Sequence, residues 1–184
     1  MSDALLVMDV QNGIVERLGS AAPLLDRVAT AMDAARRHSI PVIFVRVAFR
    51  EGAPEISSRN RAFSALTSAG AMSETSPATQ VHTAVAPRPD EIVVVKRRVS
   101  AFAGSDLDVV LRAASIEGLI LTGISTSGVV LSTTRQAADL DYRITILRDA
   151  CADGDDEVHR VLMEKVLARQ ATVTTSDEWI SSLG

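Results

Sequence analysis

Two charged residues stand directly beyond apolar runs, where buried strands usually end. Asp9 follows the run Leu-Leu-Val-Met, and Lys96 follows the run Ile-Val-Val-Val. Each has an ordinary explanation, because a strand-end aspartate often caps a turn and a lysine after buried residues often marks the return to solvent. In a parallel sheet, however, both charges would emerge at the same edge as the loop after Thr122. The three segments together therefore predict a site that contains a carboxylic acid and an ammonium group.

Six short apolar runs predict the strands that would position these residues. They cover residues 4–10, 40–47, 91–95, 119–122, 144–147 and 171–174. Helical patterns lie between several of these runs. Apolar residues three and four apart predict a helix within 24–35, and Ser105 with Asp108 predicts the start of a helix that runs to about residue 116. Two further helices are predicted at 128–140 and 156–169. The alternation predicts an α/β fold with helices on both faces of a parallel sheet.

Residues 50–90 do not fit this alternation. The stretch is rich in Ser, Ala, Pro and Arg and is too long for a simple connector. We expect it to form a partly irregular cover over the site or a subunit contact.

The composition limits the function classes. A length of 184 residues fits one domain, residues 1–184, and the formal net charge of −4 argues against a nucleic-acid partner. The single cysteine excludes an internal disulfide and favours a reducing compartment. The first apolar run is too short for a signal peptide or a membrane span, and no Gly-rich dinucleotide or phosphate loop follows any strand. We expect a soluble cytoplasmic protein without a cofactor or a membrane partner.

Three motifs resemble those of the isochorismatase-like hydrolase (cysteine hydrolase) family. They are Asp9-Val10-Gln11-Asn12, residues 96–102 (Lys-Arg-Arg-Val-Ser-Ala-Phe) and residues 123–129 (Gly-Ile-Ser-Thr-Ser-Gly-Val). Their order and spacing agree with the family over essentially the whole chain. The resemblance implies a three-layer, Rossmann-like α/β fold with a six-stranded parallel sheet, a triad of Asp, Lys and Cys, and a cis peptide between Ile124 and Ser125.

Val129 stands at the position that the resemblance assigns to the cysteine nucleophile. Valine has no nucleophilic atom, so the thioester route of the cysteine members is closed. The resemblance assigns Asp9, Lys96 and the position of Val129 to catalysis. It also indicates a set of substrate-binding residues: Gln11, Arg98, Phe102, Ser125, Thr126, Ser127 and Gly128.

True isochorismatases also lack the cysteine, and their lysine segment, Lys-Trp-Arg-Tyr-Ser-Ala-Phe, resembles residues 96–102. They cleave a vinyl ether, and the resemblance implies that a carboxylic acid protonates the vinyl carbon before water adds. Their nucleophile loop carries aromatic and histidine residues where this chain has Ser125, Thr126 and Ser127. The identity of the substrate therefore does not carry over.

Other residues are weaker candidates for chemistry. Cys151 follows the fifth predicted strand and is expected to be a small buried residue. Serine catalysis from the loop would need a base within hydrogen-bond reach. His38, His82 and His159 are scattered, and the Asp-x-His pattern of the metal-binding relatives is missing, so no metal is expected.

The sequence thus leads to two hypotheses. In the first, the chain hydrolyses a small organic substrate, a vinyl ether or a C–N or C–O bond, with Asp9 as general acid or base and Lys96 as its electrostatic partner. In the alternative, it is a catalytically silent family member that binds a small molecule or serves in assembly. In both cases we expect a small-molecule ligand and a homodimer or higher homo-oligomer.

Overall fold

The sheet of this chain is parallel throughout and has the strand order β3-β2-β1-β4-β5-β6 in the computed structural model, which describes residues 2–64 and 72–184. Each strand is bounded by polar or turn residues. The strands are β1 (Ser2–Met8), β2 (Val42–Val47), β3 (Ile92–Lys96), β4 (Ile116–Ile124), β5 (Arg143–Ala152) and β6 (Thr172–Thr174). The predicted α/β fold is confirmed, and every predicted strand corresponds to one of these six.

Helices connect the strands and cover both faces of the sheet. They are α1 (Asn12–Val15), α2 (Ala22–Arg37), α3 (Arg61–Ser64), α4 (Leu107–Ala113), α5 (Leu131–Asp139), α6 (Asp156–Val161) and α7 (Ser176–Ser181). A π-helical turn, Thr126–Val130, precedes α5, and α6 continues into a second π-helical turn, Leu162–Val166, and a 3-10 turn, Leu167–Arg169. In the described part of the chain, no helix is both long and apolar enough to cross a membrane.

Two hydrophobic clusters lie on opposite faces of the sheet. On one face, Val28 and Met32 of α2 and Trp179 of α7 pack against alternate residues of β1 and β2. On the other face, Leu107 and Leu111 belong to α4, which packs with α5 against the other alternate set. Since both faces are covered, the central strands are apolar along nearly their full length, as the sequence runs indicated.

The structure corrects several predicted boundaries. The helix expected to reach residue 116 ends at Ala113, because Ser115 adopts a positive φ of 52° and the chain turns into β4 at Ile116. The helix expected from residue 128 begins earlier, with the π-helical turn at Thr126. The short strand expected at 119–122 lengthens at both ends, since it pairs with β1 and β5 in the middle of the sheet.

The described part of the 50–90 stretch contains α3, two 3-10 turns (Pro77–Thr79 and Thr83–Val85) and two isolated bridges to the body of the fold. Its bridges join Gln11 to Val81 and Phe49 to Ser73. This stretch, residues 50–90, is called the cover segment below. Residues 65–71 within it lie outside the described residues.

Candidate active site

A cavity of about 310 Å³ lies beyond the carboxyl ends of the central strands. It is lined by residues at or just beyond the ends of β1 to β4, by the π-helical turn and by the cover segment. Its polar and charged lining includes Asp9, Gln11, Arg17, Lys96 and Ser125, and Val129 lies in the same wall as Ser125. This is the edge at which the sequence placed the site, because ligands of open parallel sheets bind outside the carboxyl ends of the strands.

Asp9 and Lys96 form an ion pair inside this cavity. The Lys96 Nζ lies 2.7 Å from the Asp9 Oδ2, and the two side chains are 2% and 7% exposed. Asp9 directly follows β1 and adopts a positive φ of 56°, whereas Lys96 is the last residue of β3. The parallel sheet therefore brings together two residues that are 87 positions apart in the sequence.

The Asp9 carboxyl is exceptional among the acidic groups of the described chain. Burial raises its pKa to about 6, and the neighbouring Lys96 ammonium offsets only part of this rise. Its Oδ1 atom is buried and has no hydrogen-bond partner among the described residues. An oxygen in that situation favours the protonated carboxyl, which carries a hydrogen that it can donate.

Lys96 holds both Asp9 and the loop that follows β3. Besides the ion pair, its Nζ donates to the backbone oxygens of Arg98 at 3.1 Å and Val99 at 2.7 Å. The same loop is attached to α5, because Ser100 Oγ donates to Gln136 Oε1 and the hydroxyl of Thr133 accepts from the Ala101 amide. The ammonium thus lies under a fixed loop, with an acceptor for each of its three hydrogens.

Gln11 connects β1, β2 and the cover segment. Its Nε2 donates to the backbone oxygens of Val47 at 2.9 Å and Thr79 at 2.8 Å, and its Oε1 accepts from the Val47 amide at 2.8 Å. Both amide hydrogens are therefore used within the fold. Asn12 acts alongside it, since its Nδ2 donates to the Pro77 oxygen. The first motif attaches the cover segment to the strand end that carries Asp9.

The loop after β4 forms another wall of the cavity. The peptide between Ile124 and Ser125 is cis, as expected from the sequence. Gly123 has a φ of 138°, and a Cβ there would lie 2.0 Å from the Met8 oxygen, so only glycine fits beside β1. Val129 is 2% exposed and lines the cavity with Ser125 and Gly128.

Four of the predicted substrate-binding residues do not line the cavity. The Arg98 guanidinium donates to the backbone oxygens of Arg97 and Glu55, and Phe102 is packed in the core with its ring 6.0 Å from that of Tyr142. Thr126 is buried with its hydroxyl 2.7 Å from the His159 Nδ1. The Ser127 amide donates to the Asp153 carboxylate at 2.6 Å. These contacts hold the loops around the cavity.

Cys151 lies away from the cavity lining described here. The thiol is 5% exposed and points to the Leu121 oxygen at 3.8 Å, and burial raises its pKa to about 12. A thiol in that state is not a nucleophile near neutral pH. Among the described residues there is also no group of three or more His, Cys, Asp or Glu side chains with the geometry of a metal site.

A larger groove of about 600 Å³ lies at the opposite edge, at the amino ends of β2 and β3. Its ionic groups include Arg36 and Glu91, which satisfy each other through two hydrogen bonds of 2.8 Å. The described lining of the groove holds no acid with a raised pKa and no buried carboxyl oxygen without a partner, because Arg36 lowers the pKa of Glu91, so the smaller cavity is the candidate active site.

Comparison with known proteins agrees with this geometry. Residues 3–178 match the isochorismatase domain, and the chain belongs to the isochorismatase family of hydrolases. It is 29% identical to the ureidoacrylate amidohydrolase RutB of Stutzerimonas stutzeri, over 98% of this chain and 79% of that protein. It is 27% identical to a "probable inactive nicotinamidase" of Arabidopsis thaliana, over 98% and 95%. The crystal structure of a cysteine hydrolase from Pseudomonas syringae superimposes with a TM-score of 0.91 at 25% identity, over 98% and 92%.

Sequence reasoning missed the apolar walls of the cavity and also one charged residue that lines it, Arg17. It follows α1 and lines the cavity, yet its side chain makes no hydrogen bond or ion pair with any other described residue. In the sequence, Arg17 is marked only by its position six residues after Gln11. No neighbouring motif contains a residue that would identify it as part of the site.

Proposed function

We propose that this protein hydrolyses a small organic substrate without a cysteine nucleophile, with Asp9 as the general acid. The observation that carries the proposal is the Asp9 carboxyl, because this residue lines the cavity, burial raises its pKa to about 6, and its Oδ1 has no hydrogen-bond partner among the described residues. A catalytic acid works best when its pKa lies near the operating pH. Of the two opposing effects that the sequence left open, burial outweighs the Lys96 charge, so the pKa of Asp9 is raised and a fraction of the carboxyl carries a proton near neutral pH.

Vinyl ether hydrolysis uses such an acid directly. The Asp9 Oδ1 donates its proton to the terminal vinyl carbon, which leaves an oxocarbenium ion at the ether carbon. Water adds to that carbon and returns a proton to the Asp9 carboxylate, and the hemiketal then breaks its C–O bond to give a ketone and an alcohol. One water molecule is consumed and Asp9 is regenerated.

Lys96 supports this cycle electrostatically. The ammonium is 2.7 Å from the Asp9 Oδ2, so it stabilises the carboxylate that each proton transfer creates. Hydrolysis of a C–N or C–O bond of another kind fits the same pair, with Asp9 as the base that activates water. Neither route uses an atom of Val129.

The second candidate is a catalytically silent protein that binds a small molecule in the same cavity or serves in assembly as a homo-oligomer. The specific observation in its favour is Val129, whose apolar side chain occupies the wall next to Asp9 and Lys96. On this alternative the ion pair supports the loop and the cavity retains only its binding role.

Turnover of a substrate panel distinguishes the two candidates. Purified protein is incubated with vinyl ethers, amides and ureides, and products are followed by mass spectrometry. We expect turnover of at least one class and a loss of about 100-fold or more in Asp9→Asn, the usual contribution of a general acid. Asp26→Asn, at an exposed aspartate of α2, is the charge-matched control. Turnover that Asp9→Asn leaves unchanged would rule out the proposed acid, and a ligand that only raises the melting temperature supports the binding protein.

A further inference from the structure

The charges that line the candidate active site do not cancel. Among its described lining residues, the ionisable side chains are Asp9, Arg17 and Lys96. Asp9 and Lys96 neutralise each other when both are charged, and protonation of Asp9 leaves the ammonium uncompensated. In either state the cavity retains a positive charge, and such a cavity favours an anionic ligand.

The buried donors of the cavity are already engaged. Each of the three Lys96 hydrogens has an acceptor, namely Asp9 and two backbone oxygens of the loop above it. Both hydrogens of the Gln11 amide are bonded to the backbone oxygens of Val47 and Thr79. A ligand anion that approached either group would have to displace a bond that holds the fold together.

Arg17 is the remaining cation among the described lining residues, and its side chain is exposed. Within residues 2–64 and 72–184 its guanidinium has no hydrogen-bond or ion-pair partner. The backbone beneath it is held firmly, because the Arg17 amide donates to the Ile14 oxygen and Gln11 fixes the start of α1. A free guanidinium with five hydrogens on a fixed turn is suited to bidentate binding of a carboxylate.

We propose that Arg17 is a specificity-determining residue that binds a carboxylate group of the ligand, so that the cavity takes small carboxylic acids with an apolar body and presents that body to Asp9. This inference rests on the proposed function in one respect, since it names the ligand class of the same cavity. Carboxylate binding itself does not require that any bond be cleaved.

The remaining walls define the rest of the ligand. They are largely apolar and come from both the fold and the cover segment: Ile14, Val47, Phe63, Met72, Val99 and Ile124. A volume of about 310 Å³ lies at the lower end of the range for ligand cavities, so the body is about the size of a single ring or a short chain. The described lining has no glycine-rich phosphate loop, and a single guanidinium balances the one charge of a carboxylate but not the charge of about −1.5 to −2 that a phosphate group carries at pH 7.

Acid and amide pairs of equal shape test this assignment. The probes are benzoate with benzamide and crotonate with crotonamide, and binding is measured by isothermal titration calorimetry and by the fluorescence of Trp179, the one tryptophan of the chain. The variants are Arg17→Gln and the matched control Arg37→Gln, an exposed arginine of α2 that does not line the cavity. We expect wild type to prefer the acid of at least one pair, and Arg17→Gln to weaken binding of that acid about tenfold without affecting the amide.

Three results would overturn the assignment. They are equal binding of acid and amide in both pairs, equal weakening of acid and amide by Arg17→Gln, and an equal loss of acid binding in Arg37→Gln, which would indicate a general charge effect. Inorganic phosphate that competes with the acid at equal concentration would also contradict it.

The same measurement in Asp9→Asn separates this inference from the proposed function. If the protein prefers the acid to the amide, if this preference requires Arg17, and if it persists in Asp9→Asn, then carboxylate binding is supported. This holds whatever the turnover panel shows. Turnover that depends on Asp9 but not on Arg17 would support the catalytic proposal and contradict the role of Arg17.

Discussion

At the scale of single residues, the surroundings of Asp9 determine what this site can do. The carboxyl is buried, its Oδ2 lies beside an ammonium, and its buried Oδ1 has no hydrogen-bond partner among the described residues. The two oxygens therefore differ, because one is paired with a charge and the other is not bonded within the described chain. The Val129 side chain contributes only shape to the same cavity, so the proposed reactivity depends on the acid.

The cavity position of Val129 predicts the behaviour of a thiol placed there. In Val129→Cys the sulfur lies within the first turn of a helical segment and in a cavity that contains Lys96, and both features lower a thiol pKa. We expect iodoacetamide at about pH 7 to modify this thiol at least about tenfold faster than Cys151, whose pKa burial raises to about 12. Peptide mass spectrometry measures the two rates in one sample.

The adjacent position supplies the control. Val130 is fully buried and does not line the cavity, so a thiol in Val130→Cys should react as slowly as Cys151. Equal rates for the cysteines introduced at the two positions would show that the cavity does not expose residue 129.

At the scale of elements, the cover segment depends on a few side chains of the first motif. Gln11 bonds the backbone of Val47 in β2 and of Thr79 in the cover segment, and the His82 amide donates to the Val10 oxygen. The motif that the sequence suggested for the site also joins the strand end that carries Asp9 to the segment that lines the cavity.

Gln11→Ala tests this connection. The change leaves the Val47 amide and two backbone oxygens without their partners, and buried polar groups that lose a partner cost about 1 to 3 kcal/mol each. We expect the free energy of unfolding to fall by about 2 to 4 kcal/mol, measured by urea denaturation with Trp179 fluorescence. In the control, Gln80→Ala, the lost side chain bonds mainly within the cover segment, and the fall should stay below about 1 kcal/mol. Equal losses would contradict the special role of Gln11.

The elements themselves were largely predictable from the sequence, whereas several contacts were not. Apolar runs and helical spacing located all six strands, because burial on both faces of a parallel sheet leaves a continuous apolar signal. The same signal does not show that Ser115 takes a positive φ, nor that Arg98 turns towards Glu55. Those features depend on long-range packing, which local sequence does not encode.

The candidate site shows the same division. Asp9 and Lys96 could be predicted because each follows an apolar run and carries a charge. Arg17 could not be predicted as a site residue, because an arginine after a short helix is usually a solvated surface residue. Only its position in the cavity lining distinguishes it. The role of Gln11 as a connector depends on the fold of the cover segment, and no periodic pattern in the sequence predicts that fold.

At the scale of the whole molecule, the ionisation of Asp9 is linked to the stability of the fold. Its pKa rises from the ordinary value of 3.8 to about 6 on folding, chiefly because of burial. Between these values the folded chain holds a proton that the unfolded chain has released. The associated stabilisation is therefore fully present below about pH 4 and is lost as the pH rises through about 6.

This linkage predicts how the difference in stability between the wild type and Asp9→Asn changes with pH, because the asparagine side chain cannot titrate. The free energy of unfolding of the wild type minus that of Asp9→Asn should fall as the pH rises from about 4 to 7. A rise of about 2 pKa units corresponds to a fall of up to about 3 kcal/mol. Urea denaturation followed by Trp179 fluorescence at several pH values gives this difference directly, with Asp26→Asn as the control for removal of an exposed negative charge. A difference that instead rises with pH over this range would mean that the Lys96 charge outweighs burial, and Asp9 would then be a permanent carboxylate, unsuited to act as the acid.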